Sequence, residues 1–322
     1  MNILIVNPKG RITVYNKGHV AAIKKILPGA KVNLTNDLTE ISNLLKTAEI
    51  IITSPVGFDL DLTKAKELKW LHSSSAGVTD LARQLKNSSV ILTNSSGVHP
   101  IPIAEHVFGL ILMFSRRLYK AYRFQIEKKE WLRDTETLDG VELAGQTLGI
   151  VGYGRIGERI AKLAKGFDMK VIALEHNSKI ENPNVDKVSK NIEEILKNAD
   201  FIVNCLPLTT ETFGYFDRNK FKQMKKSAFF VNIGRGKTVV EKDLISALKN
   251  KTIAAAGLDV FEEEPLPKNS PLWKLGNVII SPHFSGWTPK YTDRVIEIFC
   301  ENLKAFQQNR PMPNLVDKIK GY

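Results

Sequence analysis

The chain has 322 residues, 43% of them hydrophobic and 25% charged, which is typical of a globular protein large enough for two domains. Its net charge of +12 suits an anionic partner, but the lysines are scattered among apolar residues and no zinc-ligand spacing or RNA-binding motif accompanies them, so nucleic acid is not the expected partner. The apolar run VFGLILMF, residues 107–114, is too short to cross a bilayer. The start, MNILIVNPKG, predicts a strand and not a signal peptide, and the two cysteines cannot form a disulfide framework. We therefore expect a cytoplasmic protein that binds no membrane.

Short apolar runs alternate with helical patterns from the amino terminus onward, which predicts a parallel sheet covered by helices. The first series predicts strands at 2–6, 31–34, 50–53, 70–72 and 90–93, with helices at 16–27 and 37–48. At NSSGVHPIPIAEH two prolines open a long helix, whose apolar residues recur at helical spacing: Ile103, Val107, Leu110, Ile111, Phe114 and Leu118.

A second series of strands and helices begins at Thr147. Its predicted strands lie in TLGIVGYG, KVIALE, FIVNCLPL, AFFVNIG, IAAAGLDV and NVIIS, and a last helix, 289–308, has no strand after it. The sequence thus predicts an α/β protein of two Rossmann-like, doubly wound parallel-sheet domains. The substrate domain is expected to be discontinuous, 1–96 completed by 287–322, and the dinucleotide-binding domain to span 97–286, with hinges near 97 and 286.

The segment TLGIVGYGRIGERIA carries the spacing G-x-G-x-x-G between a predicted strand and a predicted helix. Gly152 would allow a tight turn, Gly154 a close approach of the backbone to a pyrophosphate, and Gly157 close packing of helix on strand. The amino terminus of the helix would bind the phosphates. Glu175 ends the next strand about 20 residues further on, where a carboxylate can accept hydrogen bonds from ribose hydroxyls. This context predicts a dinucleotide site.

Polar residues also follow three later strands. Arg235 stands between two glycines after FFVN, Glu264 lies in FEEEPLP and His283 in SPHFSGWT. Ligands of open parallel sheets bind beyond the carboxyl ends of the strands. Arginine offers a fork of donors that fits a carboxylate, and histidine can transfer a proton near neutral pH, with an adjacent carboxylate stabilising its charged form. Together with a hydride donor, such a set can reduce a 2-oxo acid.

Over nearly its whole length the chain resembles the D-isomer-specific 2-hydroxyacid dehydrogenase family. The resemblance rests on LAGQTLGIVGYGRIGERIA, LPLTTETFGYF, FFVNIGRGKTVVEKDLISAL, AGLDVFEEEPLPKNSPLW and SPHFSGWT. It implies reversible, NAD(P)-dependent reduction of a small 2-oxo acid to the D-2-hydroxy acid by a homodimer, with the long helix after Pro102 as the interface element. It also implies a substrate clamp at Arg235, a proton-transferring His283 and its partner Glu264, at a cleft that closes by hinge motion.

The resemblance further assigns binding residues. Ala76 and Gly77 would offer backbone N–H groups to the substrate carboxylate, together with Arg235. The cofactor would be bound by the following residues: Gly152, Tyr153, Gly154, Arg155, Ile156, Gly157, Glu175, Leu206, Pro207, Thr212, Ile233, Gly234, Asp259 and Gly286. Among these, Ile233, Asp259 and Gly286 would lie near the nicotinamide. No metal site is expected.

Two positions depart from the family pattern. Glu175, followed by His176 and Asn177, stands where the family commonly has Asp; the carboxylate favours NAD, and NADP stays open. Trp287 stands where a small residue is common, which would narrow or rim the substrate cleft. Two alternatives also remain. One is a dinucleotide-sensing corepressor, and the other is a phosphoglycerate-type dehydrogenase, although the loops near Ser54 and Ser74 offer mainly Ser, Pro and Gly and not the cations that a phosphate requires.

Overall fold

The computed structural model describes residues 1–7, 14–54, 60–129, 131, 139–175 and 182–320. These residues group into two units, 1–98 with 288–322 and 99–287. Within the described ranges, no helix is long and apolar enough to cross a membrane.

The first unit is built on a parallel sheet. Its strands, within the described residues, are β1 (Asn2–Val6), β2 (Lys31–Thr35), β3 (Ile50–Thr53), β4 (Trp70–Ser73) and β5 (Ile91–Thr93), in the order β2-β1-β3-β4-β5. Helices α1 (Lys17–Ile26), α2 (Leu38–Leu45) and α3 (Thr79–Gln84) alternate with them, and a 3-10 turn spans Leu62–Lys64. In β1, Ile3 and Ile5 pack into one buried cluster while Leu4 and Val6 pack into another. Because both faces are covered, the strand consists almost wholly of apolar residues.

The second unit is built on a larger parallel sheet. Its described strands are β6 (Thr147–Val151), β7 (Lys170–Leu174), β8 (Lys187–Ser189), β9 (Phe201–Asn204), β10 (Phe229–Asn232), β11 (Ala255–Leu258) and β12 (Val278–Ile280). Their order is β12-β11-β10-β9-β6-β7-β8. The direction of winding therefore reverses between β6 and β9, and such a switch point is where open α/β sheets bind ligands.

The helices of the second unit cover both faces of this sheet. Those among the described residues are α4 (Pro100–Ser115), α5 (Leu118–Glu127), α6 (Arg155–Lys165), α7 (Ile192–Asn198), α8 (Arg218–Gln223) and α9 (Glu241–Lys249), with 3-10 turns at Gly236–Thr238 and Pro271–Lys274. Residues of α4 and α6 pack with Leu148 and Ile150 of β6 in one buried cluster, while Val151 belongs to the cluster on the other face. The predicted fold class, two doubly wound parallel sheets, is confirmed.

The last helix, α10 (Tyr291–Gln307), belongs to the first unit although it follows the second unit in the chain. Its Phe299 stacks on Trp70 of β4 with ring centroids 4.7 Å apart. Asp293 Oδ1 lies 2.8 Å from Nε2 of His19 in α1. The predicted helix began two residues earlier, at 289; in the structure Thr288 to Lys290 form the turn that precedes it.

The helix after the two prolines is shorter than predicted. The helix α4 buries Ile103, Val107 and Phe114 but ends at Ser115. Arg117 then adopts a left-handed backbone, φ 55°, and Leu118 begins the next helix with 52% of its surface exposed. The assignment of Leu118 to the same helix was wrong. The spacing of apolar residues continues from Phe114 to Leu118, but the backbone of the helix ends between them, and the spacing alone does not reveal where a helix ends.

Candidate active site

The glycine-rich turn joins β6 to α6. Gly152 has φ +95°, and a Cβ there would lie 2.9 Å from the carbonyl carbon of Cys205, so this position requires glycine. At Gly157 a Cβ would lie 3.1 Å from Cγ2 of Ile150, so this glycine allows the helix to pack closely on the strand. At Gly154 a Cβ would meet nothing within 4 Å. The turn therefore leaves open space at the glycine where a phosphate is expected.

The helix α6 begins directly after this open position. Among the described residues no side chain caps it at Gly154, which leaves the first turn of the helix suited to binding an anion. Arg155 and Ile156 form its first turn, and the hydroxyl of Tyr153, just before it, is buried with no partner among the described groups. The uncapped helix and the space at Gly154 fit the pyrophosphate of a dinucleotide.

Glu175 lies at the carboxyl end of β7, beside the strand that carries the glycine-rich turn. It is partly buried, and its backbone N–H donates to Ser189 O at 3.0 Å. This is the position from which a carboxylate reaches a bound ribose in dinucleotide folds. The next two residues, His176 and Asn177, lie outside the described residues.

A compact loop follows β9 on the other side of β6. Leu206 N donates to Asn204 Oδ1 at 3.1 Å, and the hydroxyl of Thr212 donates to Pro207 O at 2.6 Å. The same hydroxyl accepts from Thr209 N at 2.7 Å, so Thr212 closes the loop on itself. Since Gly152 abuts Cys205, this loop lies directly against the glycine-rich turn. The predicted cofactor residues Leu206, Pro207 and Thr212 thus lie beside the predicted phosphate site.

The turn that carries Arg235 follows β10. Ile233 and Gly234 are buried, whereas the Arg235 side chain is exposed and donates from Nη1 to Gly234 O at 2.7 Å. The flanking glycines are required by packing, since a Cβ on Gly234 would lie 2.6 Å from Leu206 O and one on Gly236 would lie 1.7 Å from Phe261 O. The turn therefore packs between the loop that follows β9 and the segment that leads from Phe261 to Glu264.

A buried hydrogen-bond network holds the turn from below. Asn204 Nδ2 donates to Asn232 Oδ1 at 3.0 Å and to Thr238 Oγ1 at 2.7 Å, and the Thr238 hydroxyl donates to Arg235 O at 2.6 Å. Sequence reasoning missed Asn204, Asn232 and Thr238. A signal was present, because FIVN and FFVN both place an asparagine at the end of an otherwise apolar run, where a buried amide must find partners.

Glu264 and His283 form a hydrogen-bonded pair. His283 Nδ1 lies 2.6 Å from Glu264 Oε2, and the other carboxylate oxygen accepts from Phe261 N at 2.9 Å. The histidine side chain is 50% exposed and the glutamate 35%. Since Glu264 engages Nδ1, the Nε2 nitrogen is the one that can exchange a proton with a substrate.

The backbone at His283 is strained. Its φ is +49°, a conformation that costs a residue other than glycine about 1–3 kcal/mol and persists only where the surroundings impose it. The N–H of His283 donates to Asp259 O at 2.9 Å. The fully buried Asp259 carboxylate accepts from Phe284 N and Ser285 N, each at 3.1 Å. Asp259 therefore anchors the histidine loop, and its predicted contact with the nicotinamide stays a prediction.

The other end of the histidine loop contacts the start of α4. His99 Nδ1 lies 3.2 Å from Gly286 O, and a Cβ on Gly286 would lie 2.8 Å from that nitrogen. A side chain at 286 would therefore displace the His99 ring.

Ala76 and Gly77 lie in the first unit, in the loop between β4 and α3. Ala76 O accepts from Asn94 Nδ2 at 3.1 Å, and a Cβ on Gly77 would meet nothing within 4 Å. The loop is thus anchored at Ala76 with open space at Gly77, and the role of both residues in binding substrate stays a prediction.

The second unit brings most of the predicted residues to one edge of its sheet. Arg235 follows β10, Glu264 follows β11 and His283 follows β12, three strands that neighbour one another and run parallel. The glycine-rich turn follows β6 at the same edge. Among the described residues no group of three or more His, Cys, Asp and Glu could hold a metal ion. The arrangement can bind an anion beside a proton-transferring imidazole, next to a dinucleotide site.

Comparisons with known proteins support the interpretation of this edge as a dinucleotide-binding enzyme site. The family described as D-isomer specific 2-hydroxyacid dehydrogenase, NAD binding domain, matches residues 108–285. The glyoxylate reductase of Pyrococcus furiosus is 39% identical over 235 residues, which are 71% of this chain and 69% of that protein.

Two solved structures resemble the whole chain. A D-isomer specific 2-hydroxyacid dehydrogenase family protein from Aeromonas salmonicida has a TM-score of 0.83 and 32% identity, over 98% of this chain and 99% of that one. An NADPH-dependent glyoxylate/hydroxypyruvate reductase from Sinorhizobium meliloti, solved with NADP and sulfate, has a TM-score of 0.79 and 26% identity, over 100% of both chains.

These matches confirm the predicted nicotinamide-dependent 2-hydroxyacid dehydrogenase activity and the predicted NAD(P) cofactor. The family match covers more than half of the chain and includes the glycine-rich turn, Arg235, Glu264 and His283. The protein therefore belongs to the D-isomer specific 2-hydroxyacid dehydrogenase family.

Proposed function

We propose that this dehydrogenase reduces a small 2-oxo acid, glyoxylate or hydroxypyruvate first among them, to the 2-hydroxy acid, in the D configuration where the product is chiral, with Arg235 as the carboxylate clamp and His283 as the proton donor. The observation that carries the proposal is the 2.6 Å pair of His283 Nδ1 and Glu264 Oε2, at a strand end next to the one that carries the exposed Arg235. The names of the Pyrococcus and Sinorhizobium relatives support the choice of substrates.

The Arg235 fork would bind both oxygens of the substrate carboxylate, because a planar guanidinium fits a carboxylate with two parallel hydrogen bonds. Its backbone is held by Thr238 and its flanking glycines are packed on both sides, so the fork extends from a rigid base. The N–H groups at Ala76 and Gly77 are the proposed further ligands of the same carboxylate.

His283 would enter the reaction as the imidazolium and transfer the Nε2 proton to the oxygen of the 2-oxo group. A nicotinamide dinucleotide held at the turn of Gly152, Gly154 and Gly157 would supply the hydride for the carbonyl carbon. Glu264 would fix the ring through Nδ1 and stabilise its positive charge. In the oxidation direction the same nitrogen takes the proton back from the hydroxyl group.

We infer NAD as the preferred cofactor. A carboxylate at Glu175, at the end of β7, can accept hydrogen bonds from the ribose hydroxyls but repels a 2′-phosphate. The related Sinorhizobium reductase uses NADPH, so family membership alone does not decide the preference, and the proposal rests on the Glu175 carboxylate.

A panel assay tests the proposed substrate and cofactor. Oxidation of NADH and of NADPH is followed with glyoxylate, hydroxypyruvate, pyruvate and a larger 2-oxo acid, and the configuration of each chiral product is determined. We expect the highest kcat/KM for glyoxylate or hydroxypyruvate with NADH, and D-glycerate from hydroxypyruvate. L-glycerate, or turnover of only the larger acid, would contradict the proposal.

We also propose that the protein forms a homodimer through α5. Leu118, Tyr122 and Ile126 recur at intervals of one helical turn on this helix and are 52%, 62% and 57% exposed. An apolar row of this kind on a surface indicates a contact with a partner, and a second copy of the chain is the proposed one. We therefore expect α5 to form the interface in addition to α4, the helix after Pro102.

Sedimentation of the wild type and of Tyr122→Glu tests this assembly. We expect a dimer for the wild type and a shift toward monomer for the variant, while Glu127→Lys, on the opposite side of α5, stays dimeric. A wild type that sediments as a monomer would refute the proposal.

A further inference from the structure

His106 is a titratable residue on α4 to which the reaction assigns no role. Its side chain is 16% exposed, and its Nε2 lies 2.8 Å from the hydroxyl of Ser281, which immediately follows β12. Its ring also meets the ring of Phe284 edge-on, with centroids 5.2 Å apart. Both contacts are made to the loop that carries His283.

The direction of the hydrogen bonds follows from chemistry. The Ser281 hydroxyl donates to Asp259 Oδ1 at 2.7 Å, and both oxygens of this carboxylate also accept from backbone N–H groups. The single proton of this hydroxyl is therefore used, and His106 Nε2 must donate to the serine oxygen. Burial lowers the pKa of His106, and the charge of Asp259 opposes this only in part. Burial thus favours the neutral ring, and the contact with Ser281 places its proton on Nε2.

The chain of contacts ends at the strained residue. Asp259 Oδ1, which accepts from Ser281, also accepts from Phe284 N, and Oδ2 accepts from Ser285 N. These two N–H groups follow directly after His283, whose left-handed backbone, φ +49°, depends on its surroundings. A rotation of the Asp259 carboxylate would therefore release the loop on the carboxyl side of the histidine.

We propose that His106 is a positioning residue for catalysis: through Ser281 it fixes the orientation of the Asp259 carboxylate and thereby holds His283 in its productive, left-handed conformation. The inference rests on the proposed role of His283 as proton donor. Because α4 supplies the donor, the buried helix α4 becomes part of the catalytic apparatus without touching substrate.

The test replaces His106 in two backgrounds. In the otherwise wild-type enzyme, His106→Leu should lower kcat about 10-fold, since small displacements of a reacting group are costly, with little change in the dissociation constant of NADH. His106→Gln should restore most of kcat, because its amide nitrogen extends about as far as Nε2 and can donate to Ser281. Ser115→Ala, buried on the same helix but without a hydrogen-bond partner among the described groups, is the control and should retain wild-type kcat.

In the His283→Ala background, His106→Leu should change the residual rate of NADH oxidation less than twofold, because the residue that it positions is gone. A further 10-fold loss there, or a wild-type kcat for His106→Leu in the intact enzyme, would overturn the inference. Failure of the proposed function would look different, since His283→Ala by itself would then retain activity.

Discussion

Two histidines show how differently the two sheets are used. His72 lies in β4 of the first sheet, is fully buried, and has Thr93 Oγ1 2.7 Å from Nδ1 and Ser95 Oγ 3.1 Å from Nε2. Burial lowers its pKa to about 3, so it is neutral and structural. His283 follows β12 of the second sheet, is half exposed, and pairs with a carboxylate. The same residue type thus lies in two different environments in two similar parallel sheets, one buried and one accessible, and the fold alone does not locate the chemistry.

The contrast extends to the carboxyl edges of the two sheets. At the first edge the buried polar groups bind one another and the backbone: the Ser95 hydroxyl, for example, donates to Ser73 O at 2.8 Å. At the second edge the exposed polar side chains of Arg235, Glu264 and His283 extend from loops that buried groups anchor. The proposed catalytic groups thus combine an anchored backbone with an accessible side chain.

The largest effect should come from His283→Ala. Loss of proton transfer should lower kcat by about 10²–10⁴-fold, while the affinity for NADH, measured by fluorescence titration, changes little. Retention of kcat within a few-fold of wild type would remove the distinction between the two histidines.

Arg235→Lys should come next, because a point charge replaces a bidentate fork. We expect a higher KM for the 2-oxo acid together with a lower kcat, and little change in the KM for NADH. Steady-state kinetics with both substrates varied would measure this. Near wild-type kcat/KM in Arg235→Ala would refute the assignment of the clamp.

Replacement of Glu175 should change the choice of cofactor and not the chemistry. Two like charges about 4 Å apart repel by about 1 kcal/mol in water and by several times that near a protein surface, so the wild type should prefer NADH over NADPH by about 10- to 100-fold. In Glu175→Ala the ratio of kcat/KM for the two cofactors should approach one. A wild-type preference for NADPH would show that the carboxylate does not contact the ribose.

The smallest effect on catalysis should come from His72→Gln. Disruption of its buried hydrogen bonds should lower the free energy of unfolding by about 1–3 kcal/mol, which denaturant titration would measure. The folded fraction should keep nearly its wild-type kcat. A loss of kcat comparable to that of His283→Ala, without a loss of stability, would mean that the first sheet also carries catalytic groups.

Local sequence was sufficient for most of the elements and for the glycine-rich turn. The apolar run 2–6 is β1 as predicted. Gly152 has the positive φ of a tight turn and Gly157 makes the close contact of helix on strand, as predicted, whereas the phosphate contact at Gly154 stays a prediction. These features depend on neighbours in the chain, which a pattern records.

Features that depend on distant contacts were not predictable. His106 occupies an ordinary position on an apolar helix, and its partner Ser281 lies 175 residues away. The left-handed backbone of His283 is held by Asp259, which follows a different strand, so the local sequence SPHFSGWT does not predict it. The end of α4 before Leu118 follows from the left-handed backbone of Arg117, and an arginine in the sequence does not predict that conformation.

The pH dependence of kcat/KM for glyoxylate reduction, in the wild type and in Glu264→Gln, tests most directly the claim that Glu264 and His283 act as a pair. Glutamine keeps the shape and can still contact Nδ1, but it carries no charge to stabilise the imidazolium. We predict that the decline of reduction at high pH moves to lower pH in the variant. A profile that coincides with that of the wild type would contradict the account, because Glu264 would then be an acidic surface residue beside a histidine that acts without it.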